Sequence, residues 1–344
     1  MTAPKLPSVA APRGGAARLG ATQRPADAAP DEEANTEALL KRLEWTVLRR
    51  LDGLLQGDYR TLMRGAGLDL ADLREYQHHD DVRHIDWNVT ARLQQPYVRQ
   101  FTEDRELAAW FLVDLSASVD FGSNRYTKRR IAREFVAVLA RLLTRHGNRV
   151  GALLYGSQVD TVLPARGGRT HVLDLLQRMA ARPVETAYGS TDLRDLLAAA
   201  QRNIKRRSTL FVVSDFISAL GWEKALGQLA MRHEVTAVRL FDPLEMDLPD
   251  LGLVNMRDAE TGELLVVDTH NAGFRKRFKA AAERREGELR QSLARAGVDT
   301  LELATDDDLV DSILRFADLK KQRSRRANWS GARMGAPSHV RPAA

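Results

Sequence analysis

A chain of 344 residues with 44% hydrophobic residues is long enough to bury one large core or two modest ones, and its lack of cysteine excludes disulfides, thiolate metal sites and cysteine nucleophiles. The net charge of +6 comes from one end: Lys320 to Ala344 hold seven Lys or Arg and no acid, which leaves −1 for everything before them. A body without basic excess argues against specific nucleic-acid binding, and the tail reads as a solvated terminus.

Residues 1–34 are rich in Ala, Pro and Gly with no apolar period and read as a disordered tail; residues 323–344 read as a second, basic one. The opening residues lack the apolar core of a signal peptide. No charge-free apolar run reaches about 18 residues, so the expectation is a soluble, cytoplasmic chain with no membrane span.

Residues 35–105 read as a prefix that packs on the main domain. Asn35 or Thr36 can cap a helix whose Leu39, Leu40, Leu43, Val47, Leu48, Leu51 and Leu54 recur at spacings of three and four. A polar, charged stretch with isolated aromatics follows, and then the strand Pro96–Phe101. His78, His79, Asp80, Asp81, His84 and Asp86 have the residue types of a zinc site. The adjacent acids and Arg83 point instead to a salt-bridged docking segment.

From residue 106 to 322 strands and helices alternate. Leu107–Leu115 is a compact apolar run; Ile131, Phe135, Val138, Leu139 and Leu142 then share a helical face that closes at Gly147. Paired strands follow from Asn148 to Gly167, two helices from Arg169 and Ser190, and a buried strand through Leu210–Phe216. A helix from Gly221, a strand Glu234–Asp242, a hairpin Val254–Asp268, a charged helix Ala272–Ala296, a strand Val298–Ala304 and a last helix complete the domain. This order predicts an α/β fold: a doubly wound, mainly parallel sheet flanked by helices on both faces.

Ligands of such sheets gather beyond the carboxyl ends of the strands. Asp114, Ser116 and Ser118 alternate where the first apolar strand ends, so they present three oxygens to one side. A second buried strand ends in Asp215, and the loop Thr186–Leu193 supplies Thr191 just before a helix. Two carboxylates and three hydroxyls form an all-oxygen set suited to a hard cation, Mg²⁺ or Mn²⁺, with water completing the shell. Asp120 and Asp192 lie nearby with plain roles in turns or helix capping. No histidine is close in sequence to the three loops, which argues against hydrolysis, and no P-loop is present. A strand-end acid such as Asp215 is expected to be dispensable for folding.

The D-x-S-x-S of Asp114, Ser116 and Ser118, the Gly189-Ser190-Thr191-Asp192 loop and Asp215 together resemble the metal-ion-dependent adhesion site of von Willebrand factor A domains. The segment Leu73–Arg92 followed by Val98–Glu106 resembles the bacterial domain-of-unknown-function family fifty-eight, whose members carry this prefix ahead of an A-type domain. Arg239–Pro249 resembles a further segment of that family. The chain departs from the pattern at His78-His79, where Pro-Gly is expected, and it lacks the transmembrane helices with which many members begin. The resemblance implies a non-enzymatic adaptor working with a MoxR-type AAA+ ATPase in protein assembly or maturation, the ion docking an acidic side chain of the ATPase or its client. The alternatives are a Mg²⁺-dependent phosphatase-like hydrolase, for which D-x-D would be expected where Ser116 stands, and a structural A-type domain that binds no metal.

Overall fold

The computed structural model describes residues 8–10, 36–51, 72–77, 82, 85–100, 108–123, 126–182, 191–257 and 264–320. The rest of both tails, the run His78–Asp81, Arg83, His84, Gly189 and Ser190 lie outside the described residues. Within the first tail, β1 (Ser8–Ala10) is a short strand.

The first helix, α1 (Thr36–Leu43), continues through a wider turn at Glu44–Leu48 to residue 51. Its Leu40, Leu43, Leu48 and Leu51 are buried in the main core, so this part of the prefix is built into the domain. Next, β2 (Asp72–Glu75), α2 (Trp87–Leu93) and β3 (Tyr97–Gln100) make a small unit in which β2 and β3 pair antiparallel. Asp86 N donates to Tyr97 O at 2.8 Å, and Asp86 Oδ1 accepts from Val89 N at 3.2 Å at the start of α2.

The main sheet begins with β4 (Ala108–Asp114), whose residues from Ala109 onward are all buried. After it come α3 (Lys128–Arg145), β5 (Arg149–Tyr155), β6 (Val159–Arg166), α4 (Arg169–Ala181) and α5 (Leu193–Asn203). The chain then adds β7 (Thr209–Ser214), α6 (Trp222–Ala230) and β8 (Glu234–Phe241). An antiparallel hairpin of β9 (Leu253–Arg257) and β10 (Leu264–Asp268), with β1 paired antiparallel to β9, precedes α7 (Ala272–Ala296), β11 (Asp299–Ala304) and α8 (309–320).

Six strands lie side by side in the order β11-β8-β7-β4-β5-β6, parallel except for β6 at one edge. This is the mixed α/β, mainly parallel sheet that the alternation predicts. Because strand side chains alternate between faces, Phe111 and Val113 meet α1, α3, α4 and α8, while Trp110 and Leu112 meet α5, α6 and Leu293 of α7. Phe111 stacks on Phe211 with ring centroids 5.3 Å apart, and Phe135 meets both rings edge-on. Burial on both faces explains why β4 and β7 read as unbroken apolar runs. From β4 the chain turns to β5 on one side and later reaches β7 on the other, so the strand order reverses at β4. In open α/β sheets such a reversal is where ligands bind, beyond the carboxyl ends of the strands, and here Asp114 and Ser214 end the two strands that meet there.

Candidate metal centre at the strand ends

Asp114 is the last residue of β4 and is fully buried. Its Oδ1 accepts from Ser116 N at 3.0 Å and its Oδ2 from Ser214 Oγ, at the end of β7, at 2.7 Å. Two residues on, the Ser116 and Ser118 hydroxyl oxygens lie 3.2 Å apart, both buried. The three side chains do form one cluster, but not by strand alternation: β4 ends at Asp114, and a 3₁₀ turn at Ala117–Asp120 carries Ser118 back beside Ser116.

Asp215 follows β7 and is buried. Its Oδ1 accepts from Ile217 N at 3.0 Å, and its Oδ2 from Lys128 Nζ, in the first turn of α3, at 2.7 Å. Burial first, and then the nearby charge of Asp215, push the Asp114 carboxyl up to about 6 from its ordinary 3.8. The two acids thus feel each other across adjacent strand ends.

Thr191 is buried, and its carbonyl accepts from Ser218 Oγ and Ala219 N, each at 3.0 Å, which fastens it to the loop after Asp215. Asp192 N donates to Tyr155 OH at 3.0 Å, tying the same turn to the end of β5. Asp192 caps α5, accepting from Arg194 N at 2.9 Å, the role expected of it, whereas Asp120 pairs with Arg129, accepting from its Nη2 at 2.9 Å.

Sequence reasoning missed three groups around this cluster. Ser214 orients Asp114, and its Oγ also accepts from Phe216 N at 2.9 Å, where Phe216 holds the unusual φ of 58°. Lys128 binds Glu245 Oε1 at 2.8 Å as well as Asp215. Asp242, fully buried after β8, accepts from Ser123 N (2.8 Å), Ser123 Oγ (2.6 Å), Leu244 N (2.9 Å) and Thr305 Oγ1 (2.7 Å). It ties the loops after β4, β8 and β11 together. One signal was available: Lys128 opens a helix, where the dipole disfavours cations, and the structure sets the acids Asp215 and Glu245 against it.

Because Thr305 Oγ1 and Ser123 N would lose a buried acceptor, Asp242→Ala is expected to cost about 3 kcal/mol, read by urea unfolding. A change below about 1 kcal/mol would contradict Asp242 as the tie between these loops.

The family model described as protein of unknown function DUF58 matches residues 72–288. The chain belongs to this family. The DUF58 match takes in the small β2-α2-β3 unit as well as both acid-bearing strand ends. Uncharacterized proteins of Mycobacterium bovis and Mycobacterium tuberculosis are each 38% identical to it over 291 residues, covering 85% of this chain and 92% of the relative. Among solved structures, BatB from Bacteroides thetaiotaomicron is 13% identical with a TM-score of 0.39, covering 63% of this chain and 99% of that one. An aerotolerance-related membrane protein from Bacteroides fragilis is 12% identical with a TM-score of 0.40 and the same coverage. At that distance neither bears on function. No helix among the described residues is long and apolar enough to cross a membrane.

Proposed function

We propose that this DUF58 protein is a non-enzymatic adaptor that binds Mg²⁺ or Mn²⁺ at the strand ends and docks a protein partner through the ion. The ligands are Asp114, Ser116, Ser118, Thr191 and Asp215, some of them acting through water. The observation that carries the reading is the buried pairing of Asp114 with the like charge of Asp215, beside two hydroxyl oxygens 3.2 Å apart. A dication would relieve that repulsion, and the donor set is all oxygen, as a hard cation requires. No group of three or more His, Asp or Glu side chains suited to a metal occurs among the described residues, so the hydroxyls must carry much of the coordination. With two carboxylates partly neutralised, the ion would keep positive charge for an acidic side chain of a partner.

Every group bonded to the two carboxylates is a hydrogen-bond donor: Ser116 N, Ser214 Oγ, Ile217 N and Lys128 Nζ. Binding is favoured over hydrolysis because no histidine lies close in sequence to the three loops to serve as a positioned base. The sheet order, with both acids at its reversal, supports the finer reading of a von Willebrand factor A-like domain bearing a metal-ion-dependent adhesion site. The family resemblance supports a MoxR-type AAA+ ATPase or its client as the partner, and the lack of cysteine is what supports a cytoplasmic setting. One observation favours a second reading, a structural domain without metal: Lys128 already gives Asp215 a cation.

Affinity for a purified MoxR-type ATPase, measured in Mg²⁺ and in EDTA for wild type and Asp114→Asn, separates the two. The adaptor reading expects EDTA and the substitution each to weaken binding by about tenfold or more. Four affinities within about threefold, roughly 0.7 kcal/mol, would remove the metal from the interface.

A further inference from the structure

Lys128 is fully buried at the start of α3, the end of a helix that repels cations. A buried amine is tolerated there as an ammonium because two carboxylates, those of Asp215 and Glu245, stand within ion-pair distance of it. Its Nζ donates to Asp215 Oδ2 at 2.7 Å and to Glu245 Oε1 at 2.8 Å. Glu245 is held in turn: its Oε2 accepts from Asp242 N at 3.0 Å, within the cap that Asp242 forms over residues 243–245. Neither Lys128 nor Glu245 belongs to the oxygen set that would hold the ion.

Resting on the cation-binding reading above, we infer that Lys128 is a positioning residue that sets the charge of the metal centre and hence its preference for an anionic partner group. It occupies one oxygen of Asp215 and pulls that carboxylate toward α3. It also offsets one negative charge, so a dication bound there meets a local sum of −2 in place of −3 and keeps more of its attraction for a partner's carboxylate. Glu245 tunes the effect by sharing the ammonium. Counted as formal charges, Asp114, Asp215 and Glu245 against Lys128 sum to −2; without the ammonium the sum is −3, and without the Glu245 charge it is −1.

Mg²⁺ affinity should follow that charge. Calorimetric titration of the full chain with MgCl₂ at neutral pH is expected to show Lys128→Met binding about tenfold or more tighter than wild type. Glu245→Gln should bind about threefold or more weaker, the smaller change reflecting its partly exposed side chain. The double variant Lys128→Met/Glu245→Gln restores the charge of −2 and should return to within about threefold of wild type. A purely structural lysine would weaken binding in every variant as stability falls, with the double variant worst. Shifts of the two single variants in the same direction, or equal affinities throughout, would overturn the inference. If Lys128→Met does not fold, the loss in Glu245→Gln decides alone, and an unchanged affinity there overturns it. A wild type that binds no Mg²⁺ would overturn both this inference and the cation reading, an outcome distinct from a wild type that binds but ignores the local charge.

Discussion

Asp215→Ala is expected to cost about 3–5 kcal/mol of folding stability, although the residue sits in a loop at the sheet edge. From sequence such an acid looked dispensable for folding. The structure corrects that expectation, because the variant leaves the fully buried Lys128 ammonium with Glu245 as its remaining carboxylate partner in the Lys128–Asp215–Glu245 cluster. Taking a charged group out of water is tolerable only while its counter-charge is present. The companion substitution Lys128→Met, made on the Asp215→Ala background, removes the stranded charge and should return about 1–3 kcal/mol. Urea unfolding of the wild type, both single variants and the double variant gives the coupling directly. A loss under about 1 kcal/mol for Asp215→Ala would mean that the ion pair contributes little to the fold.

The second large effect has opposite signs in two measurements. Asp114→Asn is expected to abolish saturable Mg²⁺ binding while making the metal-free protein more stable at neutral pH by about 1–2 kcal/mol. Asp114 is held ionised at neutral pH against burial and the charge of Asp215. Its raised pKa of about 6 means that this carboxyl costs stability above that pH, on the order of 3 kcal/mol before offsets. The cost fades as pH falls from about 6 toward the ordinary 3.8, below which folded and unfolded chains are both protonated. An asparagine avoids the charge but mismatches the Ser214 Oγ donor, which offsets about 1 kcal/mol. The advantage of the variant should therefore shrink between pH 7 and pH 4. Thermal melts in EDTA across that range test it, and an Asn variant less stable than wild type at neutral pH would contradict this account of Asp114.

What the sequence discloses here follows the range of the interaction. The closeness of Asp114, Ser116 and Ser118 is legible because they are neighbours in sequence, although a 3₁₀ turn at Ala117–Asp120 and not strand alternation brings Ser118 in. The charged helix Ala272–Ala296 is recoverable from its composition and from Gly297, whose φ of 69° ends it. The parallel sheet follows from unbroken apolar strands alternating with helices. Lys128 finds Asp215 across 87 residues and Glu245 across 117, and Asp242 reaches Ser123 across 119. No local pattern encodes such pairs. They form because the carboxyl ends of parallel strands converge on one edge whatever their separation along the chain. Lys128 at the opening of α3 was the trace they left, since a cation at that end of a helix is favourable only with acids beside it. The strand β1 has three residues, Ser8–Ala10, too few for any period to register.

The central claim, a divalent cation held among the strand-end oxygens, is tested most directly by crystallising the full chain with MnCl₂ and recording anomalous diffraction at the manganese edge. The account predicts one strong peak in contact with the Ser116 and Ser118 hydroxyls and facing Asp114 and Asp215, with Lys128 still bonded to the outer oxygen of Asp215. No peak there at saturating Mn²⁺, with Lys128 the sole cation beside the two aspartates, would contradict it.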